Sequence, residues 1–495
     1  MKFISTRNKK VSVTGAEAIV KGLSDEGGLF VPETFPVISK QEIESLIGMD
    51  YAKRANYIIS KFLPELKDQL PEYCQKAYSR FDGDPAPLVK INDGLYVLEL
   101  WHGPTHAFKD IALTLLPYLL VGSKKVVGDT TQTLILVATS GDTGKAALEG
   151  FKDVEGTSVV VLYPEDGVSN LQKLQMQTAE GGNVKVFAIK GNFDDAQTAV
   201  KEIFTDKANA ADLIKSGIAL SSANSINFGR LVPQIVYYFS AYADLLDSDQ
   251  IKFGNKVNFC VPTGNFGNIL AGYYAMRMGL PVDKLICASN QNNVLTDFIE
   301  EGKYDIKDRP FHKTTSPSMD ILISSNLERL IFELSGRDDK LTMQRMQELK
   351  SSGKYTIEEK ELADMGKIFR AGCADEEEVK ETIADMFDEY GYCADPHTAV
   401  ALSMQEDENN TKQATVYLST ASPYKFVDSV LEALGEKKGA TELKSLVKLE
   451  DLTALPVPKS LSELPKLKIL HKEILEKGEV KGNILDWAKE HSKHG

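Results

Sequence analysis

The chain has 495 residues, 42% of them hydrophobic and 26% charged, with a formal net charge of −14. That length suits two or three domains, the composition is globular rather than disordered, and the acidic balance argues against a nucleic-acid binder. Five cysteines, Cys74, Cys260, Cys287, Cys373 and Cys393, lie scattered with no Cys-x-x-Cys pair, so neither a disulfide framework nor a metal site is expected.

A reducing cytoplasm fits that cysteine usage. The start, Met1-Lys2-Phe3-Ile4-Ser5-Thr6-Arg7, turns polar at once and lacks the apolar core of a signal peptide. No apolar run reaches the roughly 18 residues needed to span a bilayer, so no membrane partner is expected. An acidic protein that handles an anionic substrate must gather its positive groups in one place.

Residues 1–90 read as a mixed, mostly helical region. Segments 40–47 and 51–62 carry apolar residues at helical spacing, broken by Pro64 and Pro71, and Asp25-Glu26-Gly27-Gly28 reads as a turn into a short strand over 29–32. Residues 111–120 are an apolar helix that should be buried. From about 130 the text alternates: strands over 133–139, 158–162 and 184–189, with helices over 145–151, 169–179 and 194–205 between and after them. The alternation resumes with a strand at 256–261, a helix at 268–278 and a strand at 284–288. Such alternation means βαβ units around a parallel sheet, so the fold class is α/β. Charged segments at 343–350 and 358–389 read as helices inserted before a last strand at 414–419. Beyond about 430 the chain is Lys/Glu-rich, with Pro456 and Pro458 as helix stops.

Four segments could carry chemistry. In Trp101-His102-Gly103-Pro104-Thr105-His106-Ala107-Phe108-Lys109-Asp110, Lys109 stands at the start of the apolar helix. Burial there would lower its pKa, and a neutral amine is what attacks an aldehyde to form a Schiff base. Ala138-Thr139-Ser140-Gly141-Asp142-Thr143-Gly144, between strand and helix, suits an anion at a helix N-terminus, or is simply a glycine-rich βα turn. It is no P-loop, because Ala146 stands where the magnesium-binding Ser or Thr belongs and Thr139 where the leading Gly belongs. Pro262-Thr263-Gly264-Asn265-Phe266-Gly267-Asn268 is a phosphate cradle without a lysine, suited to one compact phosphate group. Leu418-Ser419-Thr420-Ala421-Ser422-Pro423 ends the last strand, where ligands sit at the carboxyl edge of parallel sheets.

Taken in this order, the segments resemble the threonine synthase family of pyridoxal-phosphate enzymes, which has the tryptophan-synthase-β (type II) fold. Ser5-Thr6-Arg7 and Gly22-Leu23-Ser24-Asp25-Glu26-Gly27-Gly28-Leu29-Phe30-Val31-Pro32 look like the family's N-terminal segment, and Phe108-Lys109-Asp110 is similar to its cofactor-lysine motif. The resemblance implies two three-layer parallel-sheet domains, divided here as a mixed region 1–95, a lysine and substrate-carboxylate domain 96–225, a large cofactor-phosphate domain 226–430 and a helical extension 431–495. It implies that Lys109 binds pyridoxal 5'-phosphate as a Schiff base and shuttles protons. Gly264, Asn265, Phe266, Gly267 and Asn268 would hold the cofactor phosphate, Thr420 the pyridine nitrogen, and Asp142 would lie near the phenolic oxygen. Thr139, Ser140 and Thr143 would face the substrate carboxylate, and Ser225, Asn227 and Arg230, within Ser225-Ile226-Asn227-Phe228-Gly229-Arg230, the substrate phosphate. Ser316-Pro317-Ser318-Met319-Asp320 and Ser325-Asn326-Leu327-Glu328-Arg329 also resemble the family, and Arg329 would join Arg230 in supplying positive charge. Two departures are visible: Ser422-Pro423-Tyr424 stands where relatives often have His-Pro-Ala, and His106 occupies a variable position.

The implied reaction is conversion of O-phospho-L-homoserine and water to L-threonine and phosphate, with a monomer expected because the insertion and the charged C-terminus would cover surfaces that pair in smaller relatives. The rivals are a pyridoxal-phosphate phospho-lyase or dehydratase releasing 2-oxobutyrate, and a non-catalytic cofactor-binding protein.

Overall fold

Runs too apolar for one wetted face build two parallel sheets, as the computed structural model of residues 1–139, 141–165, 168–405 and 413–491 shows. The larger sheet has six strands in the order Phe369–Cys373, Val282–Ser289, Val257–Pro262, Thr415–Ser419, Leu95–Glu99 and Leu88–Asn92. All neighbours are parallel except the last two, which form a hairpin. The smaller sheet has five parallel strands in the order Ile474–Leu475, Val184–Ile189, Thr157–Pro164, Gln132–Ala138 and Ile218–Ser221. All eight residues of Thr157–Pro164 are buried, as a strand covered on both faces requires.

The alternating segments fold close to where their pattern puts them. The expected strand 414–419 appears as Thr415–Ser419, in the middle of the larger sheet rather than at an edge. The expected helix over 111–120 is instead two helices, Lys109–Leu113 and Leu116–Val127, because Pro117 lacks the N–H that a continuous helix needs. The expected helical segment 358–389 contains the edge strand Phe369–Cys373 between the helices Glu359–Gly366 and Glu376–Tyr390. Near the C-terminus, Ile474–Leu475 joins the smaller sheet, and the helix Val480–His491 packs over it. Among the described residues no helix is long and apolar enough to cross a membrane.

The helix Phe228–Asp247 runs between the larger sheet and the N-terminal helices, buried along most of its 20 residues. The N-terminal region forms a three-stranded antiparallel sheet, Asn8–Thr14, Lys2–Ser5 and Phe30–Pro32, backed by helices such as Tyr51–Phe62. Its Ser5-Thr6-Arg7 motif meets one buried carboxylate. Arg7 donates from Nε and Nη2 to Glu328 at 2.9 and 2.7 Å, and Thr6 Oγ1 donates to the same group at 2.6 Å. Glu328 lies in the helix Leu327–Leu334. The next residue, Arg329, donates to the carbonyls of Phe30 and Ile226 and to Asn326 Oδ1. The N-terminal region is thereby tied to the loops that form the cavity described below.

Arg7→Ala should leave the Glu328 carboxylate buried without its cation and lower stability by about 2 kcal/mol. Urea denaturation of the two proteins side by side measures it, with an unchanged midpoint as the contrary result.

Candidate active site

The carboxyl end of Thr415–Ser419 opens into a cavity of about 1240 Å³ between the two sheets. Three backbone contacts sew the lysine-bearing segment to this edge. Ala107 forms an antiparallel bridge with Ala421, Phe108 N donates to the Thr420 carbonyl at 2.8 Å, and Ser422 N donates to the His106 carbonyl at 3.0 Å. The turn before it is tight: His106 adopts φ 57°, and a Cβ on Gly103 would stand 2.5 Å from the Asp110 Cβ. Asp110 accepts from Thr105 N and Thr105 Oγ1, both at 2.7 Å, and burial raises its pKa to about 6. Lys109 follows as the first residue of its short helix, with its amine in the cavity.

Lys109 Nζ donates to Ser318 Oγ at 3.0 Å. Burial pushes the amine down to about 8; Asp142 opposes the shift, and Lys425 and Arg230 add to it. Asp142, in the first turn of Asp142–Phe151, is paired with Lys425 at 2.8 Å. Burial works to raise the Asp142 pKa, but the Lys425 and Lys109 ammonium groups overcome it and hold the carboxyl at about 2. Lys425 also donates to the Thr105 carbonyl at 2.8 Å.

The segment Pro262–Asn268 leaves the end of the strand Val257–Pro262 and enters the helix Gly267–Arg277. Phe266 takes the left-handed conformation at φ 61°, and no side chain caps this N-terminus, so its first N–H groups face the cavity. Gly264 packs close to its neighbours: a Cβ there would lie 3.1 Å from the Ser318 carbonyl oxygen. Tyr237 and Tyr238 donate to Asn268 Oδ1 at 2.5 and 3.0 Å, which fixes the amide. Its Nδ2 is buried and has no partner. A buried donor without an acceptor is costly, and an anion at the helix end would complete it.

Of the other expected residues, Thr139, Thr143, Ser225, Arg230 and Thr420 line the same cavity as Lys109. Thr139 Oγ1 accepts from the N–H groups of Gly141 and Gly144, each at 3.0 Å, and so shapes the turn itself. Ser140 lies outside the described residues. Arg230 is buried, donates to the Ala223 carbonyl, and forms no ion pair among the described residues. Burial lowers its pKa to about 10, which leaves it charged at neutral pH. Asn227 is placed differently. It caps Phe228–Asp247 by accepting from Gly229 N at 2.8 Å and donates to the Ile19 carbonyl at 3.0 Å, so both ends of its amide are engaged away from the cavity. Arg329 is likewise spent on backbone carbonyls and Asn326 rather than on the cavity.

Two residues escaped the sequence reading: Lys425, behind Asp142, and His397, which lines the cavity. Lys425 stands alone between Lys412 and Lys437, and nothing local singles it out. His397 is the second residue of the helix Pro396–Leu402, accepts from Ser318 N at Nε2 (3.2 Å) and pairs through Nδ1 with Asp395 at 2.7 Å. Its signal was the run Asp395-Pro396-His397-Thr398, an N-cap followed by proline at the first helical position.

Comparison with known proteins identifies the architecture. A family model described as "Threonine synthase N terminus" matches residues 2–78, one described as "Pyridoxal-phosphate dependent enzyme" matches 82–418, and one described as "Threonine synthase, C-terminal" matches 398–469. The chain is 39% identical to a threonine synthase of Pseudomonas aeruginosa over 437 residues, covering 88% of this chain and 90% of that one. It is 40% identical over 475 residues to human threonine synthase-like 1, covering 92% of this chain but spanning only 64% of that relative's length. The crystal structure of pyridoxal-phosphate-bound threonine synthase from Brucella melitensis superposes with a TM-score of 0.88 at 36% identity over 100% of both chains. The yeast threonine synthase structure also gives 0.88, at 33% identity over 98% of each. The chain belongs to the threonine synthase family of pyridoxal-phosphate-dependent enzymes.

The cavity fits that cofactor: Lys109 offers an amine for the aldehyde, and the orphaned Asn268 Nδ2 beside an uncapped helix start offers donors for a phosphate. Because only the neutral amine attacks an aldehyde, cofactor uptake by the cofactor-free chain should speed up as pH rises through about 8, well below the 10.5 of an ordinary lysine. Stopped-flow absorbance across pH 6–11 tests this; a midpoint near that of free lysine would contradict it.

Proposed function

We propose that this member of the threonine synthase family converts O-phospho-L-homoserine and water to L-threonine and phosphate, with Lys109 as the cofactor-holding and proton-carrying residue. Arg230 carries the reading. Its guanidinium is buried in the same cavity as Lys109 and has no carboxylate partner among the described residues. A buried charge in that state is expensive unless an anion meets it. The helix start at Gly267 already suits one phosphate, so a second anion site points to a substrate that is itself phosphorylated. Arg230 can take such a group in bidentate fashion.

The remaining roles are those that the resemblance to the family implies. Gly264 to Asn268 hold the cofactor phosphate through backbone N–H groups and the Asn268 amide. Thr420 would meet the pyridine nitrogen with a hydroxyl, and because a hydroxyl carries no charge, it would leave the ring nearer neutral than a carboxylate would. Thr139, Ser140 and Thr143 receive the substrate carboxylate at the start of Asp142–Phe151. Bound pyridoxal phosphate supplies the conjugated ring that stabilises negative charge on the substrate carbons. Lys109 Nζ takes protons from the substrate α- and β-carbons as phosphate leaves the γ-carbon, and returns protons to the γ-carbon and, after water adds at the β-carbon, to the α-carbon. An amine with a pKa of about 8 suits both directions of transfer near neutral pH. Asp142, held as a carboxylate by Lys425, keeps the Lys109 pKa from falling further.

The test is to supply the purified chain with pyridoxal phosphate and O-phosphohomoserine and to quantify threonine, phosphate and 2-oxobutyrate together. Threonine and phosphate in equal amounts are expected, whereas phosphate with 2-oxobutyrate would move the protein to the lyase branch. Lys109→Ala should abolish both covalent cofactor retention and turnover. Arg230→Met should keep the cofactor but lower kcat/KM for the phosphorylated substrate about 100-fold or more, because a buried charge-assisted contact is lost.

A further inference from the structure

The amine of Lys109 rests on a small hydrogen-bonded train that none of the roles above uses. Lys109 Nζ donates to Ser318 Oγ at 3.0 Å. Ser318 is held in turn by its backbone, whose N–H donates to His397 Nε2 at 3.2 Å. With Nε2 accepting, the ring proton lies on Nδ1, which donates to Asp395 Oδ2 at 2.7 Å. Asp395 is fully buried, caps the helix Pro396–Leu402 through the N–H groups of His397 and Thr398, and is therefore rigid. Met319 N donates to the Ser316 carbonyl at 2.9 Å, closing the 3₁₀ turn that carries Ser318.

We infer that Ser318 is a positioning residue for Lys109: its hydroxyl anchors the amine whenever that amine is free to carry a proton, and the His397–Asp395 pair holds Ser318 in place. A lysine has four rotatable side-chain bonds, and a proton carrier that must reach two different substrate carbons loses rate if its resting point drifts. The Ser318 oxygen supplies that point. As an acceptor it also favours the charged form of the amine, and so works against the desolvation that lowers the Lys109 pKa. The inference rests on the proposed role of Lys109.

Three variants of the full-length chain test it: Ser318→Ala, Ser318→Thr and His397→Phe. Two readouts are taken, kcat and KM of the cofactor-loaded enzyme, and the pH midpoint for acylation of Lys109 in the cofactor-free chain, with the labelled residue identified by peptide mass. Ser318→Ala should lower kcat about 100-fold with little change in KM. It should also move the labelling midpoint below about 8, since the acceptor that favoured the ammonium form is gone. More neutral amine with less turnover is a signature that mere loosening cannot produce. A loosened site would expose the amine and move the midpoint up towards 10.5. Ser318→Thr should recover most of both values, and His397→Phe should change both in the same direction as Ser318→Ala but less.

The charged neighbours of the amine, Asp110, Asp142, Lys425 and Arg230, are untouched by all three variants. A Ser318→Ala enzyme with unchanged kcat, or a midpoint that stays or rises, overturns the inference. So does a His397→Phe chain identical to wild type in both readouts. The labelling arm needs no turnover: a wild-type chain that made no threonine would sink the proposed activity and leave the midpoint shift to decide this one.

Discussion

Everything at this site depends on how the end of one central strand is joined to the lysine segment. Thr415–Ser419 lies in the middle of the larger sheet, with Val257–Pro262 on one side and Leu95–Glu99 on the other. Beyond its last residue the backbone is no longer paired within the sheet, and the groups of Thr420, Ala421 and Ser422 are taken up by His106, Ala107 and Phe108. Backbone hydrogen bonds are directional and costly to leave unmade when buried, so this join sets where Lys109 can stand. It places Lys109 beside Thr420 and across from the start of the helix Gly267–Arg277.

The electrostatics follow from that placement. A chain with a net charge of −14 brings Lys109, Lys425 and Arg230 close together, with Asp142 as the carboxylate that acts most strongly on the amine. Burial and mutual repulsion of the cations lower the lysine pKa, while Asp142, itself kept ionised by Lys425, moderates the fall. Arg230 is left as a buried guanidinium facing a cavity. One arrangement thus yields an amine that can exchange protons near neutral pH and a fixed charge for an anionic ligand, two properties that a solvated lysine and arginine would not have.

Much of this was legible locally. Strands buried on both faces must be apolar along their whole length, which is why Thr157–Pro164 and Val184–Ile189 stand out. The turns at 138–144 and 262–268 stand out because glycines and hydroxyl residues follow such strands and precede helices. Phe369–Cys373 did not, because Phe-Arg-Ala-Gly-Cys has no β-branched residue and pairs only on one side, so its strand character comes from its neighbour Val282–Ser289. Lys2–Ser5 and Leu88–Asn92 were obscured in the same way by short length and mixed polarity. Asn227 shows the reverse case: a polar residue beside a buried arginine looks like a ligand contact, but its side chain completes a helix cap.

By itself, then, the sequence determined the α/β class, the lysine at the start of a buried helix, the glycine-rich turn at 262–268 and the βα turn opposite it, because each is a local pattern of apolar periodicity, glycine and hydroxyl residues whose conformational preference is set within a few positions. Only the tertiary structure decided that Lys425 pairs with Asp142, that His397 and Asp395 stand behind Ser318, that Arg230 faces the cavity while Arg329 does not, and that Ile474–Leu475 closes the smaller sheet. These are contacts between residues tens to hundreds of positions apart. A charge or imidazole looks the same in the sequence whether it faces water, a carbonyl or a substrate, and only the packing that removes the water settles which partner it has.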